Sequence, residues 1–130
     1  MIKQDYLVRM IQEIISLIVN TLLNKKRNEK DEWEEYDGLT NQILGFPAEQ
    51  LMSMDMQELI DKYDGDSEKM GKIELAAMTM LKISDEMEHD LLQKSKLRQD
   101  GITLLKYVEK EGNTFSIQRA QLITLLEMNA

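Results

Sequence analysis

Cysteine is missing from the 130-residue chain. No disulfide, thiol nucleophile or thiolate metal site can be built from it, and the absence fits a reducing compartment. One proline and six glycines are few for an all-β chain, and β-branched residues do not gather into short alternating runs bounded by turns. There is one histidine, His89, and no His-centred triad, glycine-rich phosphate loop or serine elbow can be assembled around it. Lysine and arginine are outnumbered, 16 against 24 acidic residues, for a net charge of −8. A nucleic acid would have to bind against that field, where nucleic-acid modules present a basic face, so no nucleic-acid partner is expected. The start, MIKQDYLVRM, carries Lys3, Asp5 and Arg9 with no small-residue cleavage site after the apolar run that follows. It does not read as a signal peptide, and a cytoplasmic location is expected.

What the chain does have is 42% hydrophobic and 31% charged residues, rich in Met, Leu, Ile, Glu and Lys. That composition favours helix, and the length fits one domain over residues 1–130. The run LVRMIQEIISLIVNTLLNKKR, residues 7–27, poses the first question: membrane span or core helix. On a helix, Arg9, Glu13, Ser16 and Asn20 line one face with Gln12 beside them. Arg9 and Glu13 would each cost a few kcal/mol near a bilayer centre, so stable membrane insertion is not expected. The apolar face covers more than half the circumference and demands cover on two sides, from neighbouring helices or from a second copy of the chain. Lys25, Lys26, Arg27 and Lys30 fall at the helix end, where cations interact favourably with the macrodipole.

Further helices follow by capping signals and spacing. Asp31 with Glu34 resembles a capping box opening a helix over about 32–44 that Gly45 stops. Pro47 opens a short helix containing Leu51 and Met52, and Asp55 with Glu58 caps another that ends near Asp64 and Gly65. From about Ser67 to Glu111 the pattern stays helical, yet a single rod of that length would span about 67 Å, too long for a small domain. It must break, best near Glu88 to Asp90, where the apolar stripe of Met70, Ile73, Ala77, Met80, Ile83 or Ser84, and Met87 gives way to a second. The second stripe runs through Leu91, Ser95, Arg98, Ile102, Leu105 and Val108. Gly112-Asn113 stops this helix and Ser116 caps the last, with Ile117, Ala120, Leu122, Ile123, Leu125 and Leu126. The fold class is therefore all-α, an antiparallel array or bundle of about six or seven helices.

The tetrapeptides DGLT (37–40) and DGIT (100–103) each place a glycine inside a helical pattern, where it costs about 1 kcal/mol against alanine unless another helix comes close. Their offset of 63 residues is near twice the period of about 34 residues found in tetratricopeptide repeats. Together KQDYLVRMIQEI, EWEEYDGLTNQILGF, LAAMTMLKISDEME and DGITLLKYVEKEG resemble a family of small bacterial proteins with tetratricopeptide-like helices. The likeness spans most of the chain, although the full repeat signature is absent and the spacing is irregular. It implies antiparallel helix pairs, with a tetratricopeptide-like hairpin over about 68–88 and 91–111, and small residues preferred at Gly38 and Gly101. The family carries no assigned activity.

Candidate chemistry is sparse. Glu86 and His89 have the Glu-x-x-His spacing of carboxylate-bridged di-metal bundles, but such a site needs the motif twice, and a solvated helix end or turn is the expected setting. DKYDGDSEK, from Asp61, fails the calcium-loop spacing and reads as a helix stop followed by a capping turn. EWEEYD and DEMEHD read as solvated helix faces. Neither cofactor nor metal is expected, and no catalytic residue is assigned. Met52, Met54 and Met56 crowd a helix junction, where methionine either fills core gaps, the preferred reading, or forms a tolerant binding surface. Met78 and Met80, flanked by Ala76 and Ala77, are expected in the core. The expected function is a non-enzymatic scaffold for a protein partner or a homo-oligomer, with Ile15, Leu22, Met52, Met54 and Met56 as candidate partner-binding residues. The alternative is a small-molecule-binding or enzymatic bundle with an acidic pocket.

Overall fold

The polar stripe of the first helix is where the sequence puts it. The computed structural model describes residues 4–24 and 30–128, their side chains over 4–23 and 33–128. In α1 (Gln4–Asn24) Arg9, Gln12, Glu13, Ser16 and Asn20 are exposed, while Ile11, Ile14, Ile15, Ile18, Val19 and Leu22 are buried. By length and composition Gln4–Leu23 could cross a membrane, with a mean hydropathy of 1.4. In this fold its wide apolar face is covered within the chain, chiefly by α4 (Lys69–Glu86) and also by α2 (Lys30–Leu44) and α6 (Ile117–Met128). The basic cluster at 25–27 and the side chains of Lys30 and Asp31 lie outside the described residues. Because α2 begins at Lys30, Asp31 falls in its first turn rather than before it.

Gly45 ends α2 in the left-handed conformation (φ +88°), its N–H returning to Asn41 O at 2.9 Å. Glycine occupies that region without a Cβ penalty, which makes it a natural helix stop. Asn41 also accepts from Ala48 N at 2.8 Å, tying the turn to a short 3-10 helix, Ala48–Met52, that follows Pro47. Asp55 then caps α3 (Met56–Lys62) by accepting from Gln57 N. Tyr63 is buried and donates its hydroxyl to Leu44 O at 2.7 Å, joining the ends of α3 and α2; burial pushes its phenol well above the ordinary range.

The centre of the molecule is α4. Ile73 and all residues from Leu75 to Lys82 are buried, Met78 and Met80 among them, because four other helices and the 3-10 turn surround it. Its most extensive contact is with α5 (Leu91–Glu111), and the two run antiparallel. Gly101 makes their close approach possible: a Cβ there would lie 2.9 Å from Leu81 Cγ and 3.2 Å from Ala77 O. Gly38, in the matching tetrapeptide, is exposed on α2 with nothing within 4 Å, so the expected close approach holds for Gly101 alone.

The break between α4 and α5 falls at residues 87–90 without glycine or proline. Asp90 supplies it by adopting a left-handed backbone (φ 54°), a region Asp tolerates better than most residues, while its carboxylate accepts from Gln93 N. Lys94 then turns inward and donates to Ser84 O at 2.7 Å and Met87 O at 3.0 Å. In return Ser84 donates its hydroxyl to Lys94 O. Lys94 thereby places its cation on carbonyls at the C-terminal end of α4, where positive charge is favourable. Ser116 caps α6, accepting from Arg119 N. The described residues contain six α-helices, one 3-10 helix and no strand, an all-α array.

Candidate functional site

Two segments meet at one end of the molecule. The first is the 3-10 helix and the start of α3, which carry Met52, Met54 and Met56, all half-buried and packed against the core. The second is the start of α5, where Gln93 donates its amide to Met52 O at 3.2 Å. Asp90 fixes where α5 begins, and core contact sets in only with the following turns, at Leu97 and beyond. Leu91 and Leu92 are consequently left 73% and 87% exposed. Adjacent leucines held in solvent by a capped helix, beside adaptable methionines, form an apolar surface. The surrounding side chains Asp55, Glu86, Glu88, His89 and Asp90 are exposed. The nearest cation on α5, Lys94, is committed to the carbonyls of α4.

Of the candidate partner-binding residues, the structure brings Met52, Met54 and Met56 to this surface and places Ile15 and Leu22 in the core. Leu91 and Ser95, expected on the buried stripe of α5, are both exposed; the buried stripe begins at Leu97 and runs through Gly101, Leu104, Leu105 and Val108. Helical period sets Leu92 opposite Leu97, Gly101 and Val108, whereas nothing local separates Leu91 from a core residue. His89 is exposed in the turn after α4 ends at Glu86, so the Glu-x-x-His pair does not lie along one helix. Among the described residues, no group of three or more His, Asp or Glu side chains is placed to hold a metal ion. In the DKYDGDSEK stretch Asp66 accepts from Glu68 N (2.8 Å) and Lys72 Nζ (2.6 Å), forming the capping turn into α4. Lys72 first, then the Glu68 N–H, hold its carboxyl below the usual range.

A second arrangement is internal. Arg119, 2% exposed, donates to Glu74 Oε2 at 2.7 Å, Glu109 Oε1 at 2.5 Å and Thr114 O at 2.6 Å, clamping α4, α5 and the loop before α6 together. Sequence reading missed it, although a signal existed: Arg119 stands in register with Leu122, Ile123 and Leu126, on the apolar face of α6. Lys82 is likewise buried, its Nζ 4.3 Å from the centroid of the Trp33 ring and 3.0 Å from Glu86. Glu74 also borders a cavity of about 390 Å³ between α1 and the start of α4, where Glu68 is the other carboxylate. A smaller cavity, about 280 Å³, lies where α1, α4 and α6 end, floored by leucines and bordered by Lys94 and Arg98. Arg98 donates to Leu126 O, the C-terminal carbonyl region of α6.

No known protein family, curated protein or solved structure matches this chain. Fold and site together define an all-α helical array with an exposed apolar surface at the start of α5; Phe115 and Ile117, at the entry to α6, are exposed as well.

Proposed function

We propose that the protein is a non-enzymatic helical scaffold that docks a protein partner through the end formed by Leu91, Leu92 and the Met52–Met56 junction. The observation that carries this reading is the exposure of the paired leucines, 73% and 87%, on a helix whose start is fixed by a cap and a hydrogen bond to Met52 O. Contiguous apolar surface left in water marks a site of interaction. Methionine suits such a surface because its flexible side chain repacks against different shapes. The tetratricopeptide-like hairpin of α4 and α5 serves as the rigid support on which the leucines are held. Enzymatic use of the carboxylates finds less support, since Arg119 engages both Glu74 and Glu109.

The test is affinity capture from the native extract with wild-type protein and with a variant carrying Leu91→Ser and Leu92→Ser together. Both positions are solvent-exposed, so the variant keeps its circular dichroism spectrum. A stoichiometric protein that wild type retains and the variant loses is the expected result. A partner retained equally by both would remove this surface from the reading.

A further inference from the structure

The charge around the apolar end is one-sided. Residues 48–61 hold Glu49, Asp55, Glu58 and Asp61, residues 85–93 hold Asp85, Glu86, Glu88 and Asp90, and neither segment contains a lysine or arginine. Outside these two segments 16 acidic residues face 16 lysines and arginines, so the whole formal excess of −8 resides on the segments that carry Met52, Met54, Met56, Leu91 and Leu92. The cations that border these segments are engaged: Lys94 on carbonyls, Lys82 with Glu86 over the Trp33 ring, Lys62 over the Phe46 ring and Lys96 with Asp100.

We infer that the occupant of this end is a cationic amphipathic segment of another protein, with apolar residues on one face and lysine or arginine flanking them. This rests on the docking reading and adds the chemistry of the partner. The apolar face would cover the leucines and methionines, while its flanking cations meet the acidic rim. Complementary charge of this kind raises encounter rates and rejects wrong partners. A second copy of this chain is disfavoured, because a two-fold interface places the same patch on both sides and would set one acidic rim against the other.

The probes are two labelled synthetic peptides of about 18 residues with the same leucine face, at i, i+3, i+4 and i+7, and either lysine or glutamate elsewhere. Fluorescence anisotropy with the full chain measures their binding. The lysine peptide is expected to bind wild type and to weaken about tenfold in the Leu91→Ser, Leu92→Ser variant. Raising salt from about 0.05 to about 0.5 M should weaken it severalfold as the Debye length shrinks. The glutamate peptide is expected not to bind. Equal binding of both peptides, lost in the variant, would overturn the cationic assignment and leave the apolar docking surface standing. Equal binding of the lysine peptide to wild type and variant would be general attraction to an acidic protein and would overturn the inference. So would binding of neither peptide, and so would a dimer seen by sedimentation in wild type and absent in the variant, since a second copy would then be the occupant.

Discussion

Gly38 and Gly101 share a tetrapeptide pattern and a helical setting, yet their surroundings call for opposite responses to the same substitution. At Gly101 an added methyl meets Leu81 Cγ at 2.9 Å and the Ala77 carbonyl at 3.2 Å. Overpacking of about 1–3 kcal/mol then outweighs the gain in helix propensity, about 1 kcal/mol, so Gly101→Ala lowers the thermal midpoint. At Gly38 nothing lies within 4 Å. Gly38→Ala should therefore raise stability by about 0.5–1 kcal/mol, through propensity and the restricted unfolded chain. Thermal melts of the two variants, read side by side, check both signs. Arg119 makes a different argument at the same scale. Its removal leaves Glu74 and Glu109 facing each other without their common cation, and Arg119→Ala should cost about 2–4 kcal/mol in chemical denaturation. Arg119→Lys keeps the charge but loses the planar fork that reaches three acceptors, so it should recover only part of that loss.

Among the elements, the entrance to α4 is the one whose stability should depend on acid. Asp66 in the folded chain is held below its usual carboxyl range by Lys72 and the Glu68 N–H. A depressed folded value means the stabilisation is fully present above the unfolded value, about 3.9, and is lost as pH falls through the lower folded value. Asp66→Asn should thus destabilise at neutral pH, and the gap between variant and wild type should close as pH is lowered below about 4. Urea titrations at several pH values measure that gap. A gap that stayed constant to pH about 2 would show that the carboxylate does not act through its charge.

For the whole molecule, the buried residues of α1 to α6 form one continuous core, with Ile43 and Leu44 anchoring α2 to it. Trp33 is the only tryptophan and sits under Lys82 of α4. Its fluorescence therefore reports the seating of α2, while far-UV circular dichroism reports all the helices. Coincident transitions by the two probes are expected on thermal or urea unfolding, as for a single cooperative domain. An earlier fluorescence change would identify α2 as a separately unfolding unit.

Local chemistry made much of the architecture legible before any coordinates. The wet stripe of α1, the Gly45 stop and the Asp55 and Ser116 caps all follow from interactions within a few residues. Each depends on helical period or on a side chain reaching its own backbone, so the sequence by itself determined them, along with the all-α class. Burial of Arg119 and Lys82, the contrast between Gly38 and Gly101, and the exposure of Leu91 depend on which helix lies opposite. Those neighbours are distant in sequence: Arg119 meets Glu74 across 45 residues, and Gln93 meets Met52 across 41. Only the tertiary structure decided these features, because periodicity identifies an apolar face but carries no record of what, if anything, covers it.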